Sequence, residues 1–307
     1  MANQFITDPV KMRNTCYILF LFFLVGCQEE RKFLIDDSYK ENHTEFKKEL
    51  HEEQVYYLSI VDMFKLDSAS PNTFGSAEEN KFRLKDSTAP GNFGAIIFEK
   101  DSLIFKAAPD IQVKTEDDSV IKEYNLLHLD HRGHSEVMRY QNYSWYVNSL
   151  EDVKLLRIMD SRNPEIDKFP GFQTYELTPD FIFEGQLTYY ESPKLIEIPV
   201  SYGGTREAEF IGTVEFQYKG KTYSLDFMKG NFIMFGDKTA LTETYGAGRY
   251  LEFTTSDNKT TILDFNRAYN PPCSYSSFTT CAYPPEENWL DFAVKAGEKE
   301  TLVDQAN

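Results

Sequence analysis

From Val55 onward the chain is a succession of short apolar or alternating runs, with a turn former between nearly every pair. "VYYLSIVDMFKL" puts Leu58, Ile60, Phe64 and Leu66 on one face of an extended segment, and "FGAIIFEKDSLIFKA" reads as two strands about a Lys100-Asp101 turn. "YNLLHLDHRGHSEVMRY" repeats the pattern with Gly133 at the turn. "VKLLRIMD", "FIFEGQLTYY", "KLIEIPV", "EFIGTVEFQYKGKTYSLDF", "NFIMF", "GRYLEF" and "TTILDF" follow, rich in β-branched and aromatic residues and punctuated by Gly, Pro, Asp or Asn. Strands this short and this dense predict a mainly β protein built as two packed sandwich or barrel-like halves.

One helix precedes them. In "DDSYKENHTEFKKELHEE", Tyr39, His43, Phe46 and Leu50 recur at helical spacing, and Ser38 with Glu41 forms a capping box that sets the start. Pro164 and Pro170-Gly171 make 151–171 the least regular stretch, a natural seam. The expected organisation is a signal segment over 1–26 and an acidic tether with the amphipathic helix over 27–53. An N-terminal β domain over 54–150 and a C-terminal β domain over 151–307 complete it. A chain of 307 residues with 25 Phe and 19 Tyr can fill such cores.

The N-terminus carries an address rather than fold. Lys11 and Arg13 precede an apolar run from Cys16 to Val25, too short to span a bilayer but suited to a signal-peptide core. "LVGC" resembles the lipobox of bacterial lipoproteins, which implies lipidation (palmitate included) at Cys27 after cleavage. Gln28 resembles outer-membrane sorting, and Glu29-Glu30 the acidic signal that sends some lipoproteins to the cell surface. A lipid on Cys27 would be the sole membrane attachment. With a net charge of −17 and no basic run, the body repels nucleic acid and anionic lipid alike, so no nucleic-acid partner is expected.

"FGDKTALTETYGAGRYLEF", "LDFNRAYNPPCSYSSFTTCAYPPEENWLDFAVKAGEK" and "NTFGSAEENKFRLKDSTAPGNFGAI" together resemble the domain of unknown function family 1684, over roughly Glu53 to Lys299. The resemblance implies no activity, but it marks the C-terminal motif as the family's most characteristic feature. "TFGSAEENKFRLKDSTAPGNFGAIIF" also resembles the strand-loop pattern of forkhead-associated sandwiches. The phosphate ligands that resemblance would require are missing: Ser76 follows Gly75 where an arginine belongs, and "APGNFG" lacks the serine and histidine.

Once Cys16 leaves with the signal and Cys27 carries lipid, Cys273 and Cys281 remain as a pair. In an oxidising compartment a disulfide is the leading expectation, worth roughly 2.5 kcal/mol by loop closure. Free thiols and a metal site are the alternatives; no histidine is near in sequence, and the spacing is not that of a redox motif. His128, His131 and His134 invite a metal reading, but their spacing scatters them over any regular element. No metal or cofactor is expected.

"GRYLEFTTSDNKTTILDFNRAYN" reads as a hairpin. A two- or four-residue turn pairs Phe253 with Ile262, Leu251 with Asp264 and Arg249 with Asn266, which would gather Arg249, Asp264 and Asn266 on one face. A guanidinium beside a carboxylate and an amide suits either a polar ligand or a buried structural ion pair. Arg267, Tyr269, Asn270, Tyr245, Asp237, Glu287 and Asn288 complete the candidate set. The leading expectation is a cleft for a small polar ligand. A hydrolase using Asp264 or Glu287 as base with Arg249 stabilising negative charge is the rival. A structural component of an envelope complex, with an envelope protein as partner, is the third reading.

Overall fold

The computed structural model describes residues 33–130, 133–150, 153–201 and 203–300. The expected signal segment and Cys27 lie outside these residues, as does His131. Among the described residues, no helix is long and apolar enough to cross a membrane.

The chain opens with helix α1 (Asp37–Leu58), capped by Asp36, whose carboxylate accepts the Tyr39 N–H at 2.8 Å. The cap is therefore not the expected Ser38–Glu41 box; an aspartate two residues earlier meets the same orphan donors. The helix also runs to Leu58, so Leu58 belongs to the helix rather than to the strand that "VYYLSIVDMFKL" suggested. Its inward stripe holds His43, Leu50, Gln54 and Leu58.

Strands β1 (Ile60–Lys65), β2 (Asn72–Gly75), β3 (Phe82–Arg83), β4 (Gly94–Glu99), β5 (Ser102–Ala107) and β6 (Val113–Lys114) follow. Next come β7 (Val120–Ile121), β8 (Glu123–Asn125), β9 (Met138–Tyr140), β10 (Tyr143–Leu150) and β11 (Val153–Asp160). They form two sheets, β1-β11-β10-β9-β6-β7 and β3-β2-β4-β5-β8. The sheets share one core. Trp145 of β10 is fully buried and meets Phe74, Phe93 and Phe105 at ring distances of 5.5, 5.1 and 5.5 Å. The Lys100-Asp101 turn is as expected: Glu99 pairs with Ser102, and Lys100 adopts φ 47°.

The expected boundary at residue 151 requires correction. It falls between β10 and β11, which pair along their full length from Tyr143–Asp160 to Leu150–Val153. β11 also pairs with β1, so the N-terminal sandwich extends to Asp160.

The C-terminal sheet comprises β12 (Ile182–Pro199), β13 (Thr205–Tyr218), β14 (Lys221–Met228), β15 (Phe232–Phe235), β16 (Arg249–Glu252) and β17 (Thr260–Asp264). Its order is β16-β15-β14-β13-β12-β17. Lys219 and Gly220, both at positive φ, supply the tight turn between β13 and β14. The edge strands β16 and β17 are consecutive in the chain, which bends the sheet into a half-barrel. Phe216, Phe227, Phe235 and Phe265 fill it, and Leu290, Val294 and Ala296 of the C-terminal segment close it. From Leu34 onward the chain is one compact unit, and the mainly β architecture is as the strand density predicted.

Candidate functional site

The predicted hairpin does not form. β16 pairs with β15 (Arg249 opposite Phe235), whereas β17 pairs with β12 (Asp264 opposite Ile182). Between them, 253–259 closes a broad loop in which Asp257 accepts the N–H groups of Lys259 and Thr260 at 2.8 and 2.9 Å. Strand parity cannot distinguish a hairpin partner from two opposite edges of one sheet.

Arg249 and Asp264 consequently serve separate networks. Arg249 is 1% exposed and donates to Asp237 Oδ2 at 2.8 Å and to the carbonyls of Val294, Ala296 and Glu298. Asp237 also accepts from Thr239 and from the Val294 N–H. This pair clamps the C-terminal segment to the half-barrel, and both terminal nitrogens of Arg249 are occupied. The terminal N–H groups are thereby committed to folding, while Nε is buried without a hydrogen-bond partner.

Asp264 accepts from the Asn266 N–H and side-chain amide, and its second oxygen accepts the Tyr39 hydroxyl at 2.7 Å. Asn266 exchanges two hydrogen bonds with the backbone of Thr178. The Arg267 guanidinium lies over the Phe46 ring at 4.8 Å. Asp264 and Arg267 thus dock α1. His43 sits beside them, and burial pushes its pKa down.

The same helix is fastened again by Glu298, which sequence reasoning passed over. This buried carboxylate accepts from Lys47 at 2.5 Å, from Gln54 at 3.0 and 3.2 Å, and from the Asn270 N–H at 2.9 Å. Asn288 binds the backbone of Asp226 and Met234 with three hydrogen bonds, while Glu287 in the preceding turn is exposed.

The segment 271–284 is where sandwich, helix and half-barrel meet. Tyr275 packs on Phe169, Phe172 and Tyr57, at ring distances of 5.6, 5.3 and 6.5 Å. Buried Arg157 of β11 donates to the Thr280 hydroxyl at 2.7 Å. Cys273 and Cys281 stand as free thiols, not as the expected disulfide. The Cys273 N–H nevertheless donates to Cys281 Sγ at 3.1 Å, so chain geometry has paired them. Among the described residues no group of His, Cys, Asp or Glu could hold a metal ion.

Beside this segment opens a cleft of about 540 Å³. One wall is α1, with Leu50, Glu53 and Tyr57; the opposite wall is the outer face of the half-barrel, with Met228, Met234 and Tyr250. Its third side is the motif itself, through Tyr269, Asn270, Tyr275 and Cys281. Tyr269 donates to Glu252 at 2.8 Å and Tyr250 to the Ala282 carbonyl at 2.9 Å, so these phenols are held and their rings form fixed walls. Burial, reinforced by Glu252 and Glu49, pushes the Glu53 carboxyl up. Asn270 Oδ1 is buried without a hydrogen-bond partner, an uncommon state for an amide oxygen. Of the predicted site residues, Tyr269 and Asn270 of the ligand set line this cleft, with Cys281 of the expected disulfide. Glu53 closed the expected helical segment and Tyr57 fell in the run read as extended, so the helix face they share was not legible in the sequence.

A family model for proteins of unknown function, DUF1684, matches residues 167–299. The chain belongs to this family. The match takes in the half-barrel, the motif and Glu298, and leaves out α1 and the N-terminal sandwich, so it begins well after Glu53. A solution NMR structure of an uncharacterized protein from gene locus rrnAC0354 of Haloarcula marismortui is 34% identical. The similarity covers 46% of this chain and 82% of that one, with a TM-score of 0.38. The crystal structure of Rad53 1-466 in complex with AMP-PNP is 10% identical with a TM-score of 0.15, over 71% of this chain and 51% of that one, too slight to bear on fold or ligand. No curated protein matches.

Proposed function

We propose that this DUF1684 member is an outer-membrane lipoprotein, anchored through Cys27, that binds a small amphipathic molecule in the cleft between α1 and the 271–284 segment. The carrying observation is the cleft itself: fixed tyrosine walls and, in the same lining, Asn270, whose buried Oδ1 lacks a donor. Few convergent polar groups in a mainly apolar concavity are the usual make-up of a small-molecule site. The ligand carries an apolar face for the tyrosines and methionines, and an N–H or O–H for Asn270, with the Glu53 carboxylate at the rim favouring an amine. This relocates the ligand from Arg249 and Asp264, which are spent on folding, to the neighbouring surface. The lipobox-like "LVGC" and the acidic body support the anchor and its placement.

A thermal-shift screen of small amines, alcohols and aromatic metabolites tests the site. Binders should raise the melting temperature of the chain, and Glu53→Gln with Tyr275→Leu should weaken the shift of amine ligands. A hit whose shift survives both substitutions binds elsewhere. Labelling with radioactive palmitate, lost in Cys27→Ser, tests the anchor.

A further inference from the structure

We propose that Cys273 and Cys281 form a dithiol site that undergoes thiol–disulfide exchange with small organic disulfides, Cys273 attacking and Cys281 resolving. This goes beyond the ligand reading and does not depend on it.

The local chain builds the pair. Pro271 and Pro272 stiffen the approach, and a single 3-10 turn, Pro272–Ser274, presents the Cys273 N–H to Cys281 Sγ at 3.1 Å. Cys281 is held from the other side: its own N–H donates to Ser201 at 2.9 Å, and its carbonyl accepts from the Ser201 N–H at 2.9 Å. Neither sulfur has to travel with a flexible loop to meet the other.

The two thiols differ in the way that exchange requires. Cys273 is partly exposed, whereas Cys281 is 4% exposed on the cleft wall. Cys281 Sγ accepts the Cys273 N–H at 3.1 Å, and Cys273 Sγ has two donors beside it, the Cys281 thiol and the Tyr245 hydroxyl at 3.6 Å. These donors favour negative charge there and hold the Cys273 pKa below the usual thiol range. Cys281, next to that charge and buried, is pushed well up and keeps its proton. The more acidic thiol at the more accessible position, with a buried partner behind it, is the reactive order; a structural staple needs no such asymmetry.

The chemistry balances. Cys273 thiolate attacks one sulfur of a disulfide R–S–S–R, forming a mixed disulfide and releasing RS⁻, which takes a proton from water. Cys281 then attacks Cys273 Sγ, and its proton leaves with the second RS⁻ as RSH. Two electrons pass from the protein to the small disulfide, with one proton from Cys281 and one from water, giving a Cys273–Cys281 disulfide and two RSH. The reverse reaction reduces the pair again.

The test uses the full chain in detergent, equilibrated with oxidised and reduced glutathione at graded ratios. The mixture is acid-quenched, labelled for free thiols and mapped by peptide mass to Cys273 and Cys281. The expected result is a single transition in which both thiols are lost together within a hundredfold range of ratios. In Cys281→Ser the glutathione adduct should accumulate on Cys273, whereas Cys273→Ser should form adduct on Cys281 at least tenfold more slowly. Tyr245→Phe should slow adduct formation about fivefold, as the loss of one ordinary hydrogen bond allows, and move its pH profile upward. A pair that stays oxidised under hundredfold excess reduced glutathione is an inert staple, and one that stays labelled in oxidised glutathione is an inert dithiol. Either result overturns the proposal, as does faster adduct formation on Cys281.

Discussion

Lys47 and Glu298 stand 251 positions apart in sequence and form a 2.5 Å ion pair, with the carboxylate 1% exposed and the lysine 25%. Through this pair the first helix is tied to the last residues of the family-matched region. Lys47→Met leaves a buried carboxylate with only neutral donors, Gln54 and the Asn270 N–H, and should cost about 2 kcal/mol. Glu298→Gln should cost about the same, and the double variant less than the sum, because each single change strands the other partner. Urea denaturation of the four proteins measures the coupling. Additive losses would mean that the pair contributes nothing of its own.

Arg249 offers a sharper contrast between folding and function. With its charge opposite Asp237 and three carbonyls on its terminal nitrogens, Arg249→Ala should destabilise by about 3–5 kcal/mol, the usual cost of breaking a buried ion pair. At temperatures where the variant remains folded, the cleft should bind its ligand as before. Calorimetric titration beside a denaturant series separates the two. A stable variant that has lost binding would restore Arg249 to the ligand site.

The contrast also shows what was legible in the sequence. Strand density and turn residues gave the β architecture, because alternation and turn chemistry are local. The docking of α1 on Asp264, Arg267 and Glu298 was not legible, since its contacts join residues more than 200 positions apart. The hairpin reading failed for the same reason: adjacency in sequence made β16 and β17 look like partners, and the barrel closure that separates them depends on β12 and β15. The unusual polar composition of the motif was real information, but it reported a junction that folds three parts together. The cleft beside it is bounded partly by a helix outside the family match.

Asp62 of β1 predicts a pH dependence. Burial, only partly offset by the Lys85 backbone and charge, pushes its carboxyl up to about 6 from an ordinary value of 3.8. The folded state therefore holds this proton more tightly than the unfolded chain. The resulting stabilisation is full below about pH 4 and is lost as pH rises through about 6. Asp62→Asn, which mimics the protonated side chain, should be more stable than wild type at pH 7 by about 1–2 kcal/mol after allowance for solvent screening. The difference should vanish near pH 4. Urea midpoints at both pH values decide it, and a gap that widens on acidification would reverse the sign.

Gly297 sets the direction from which Glu298 reaches Asn270 and α1. Its φ is +76°, and a Cβ there would meet the Ala268 carbonyl oxygen at 2.5 Å and Phe265 O at 2.8 Å. Both obstacles are backbone, held by the Glu298 N–H bond to Ala268 O at 2.8 Å and by the turn Phe265–Arg267, so neither can swing aside. Gly297→Ala should destabilise by about 1–3 kcal/mol through the backbone conformation and the clash together. Because the displaced residue is Glu298, the loss should extend to its partner helix. Hydrogen exchange should therefore quicken along α1 around Lys47 and Gln54, while β10 and β11 of the sandwich keep their protection. Uniform acceleration across both regions would show that the substitution lowers global stability without loosening the helix in particular.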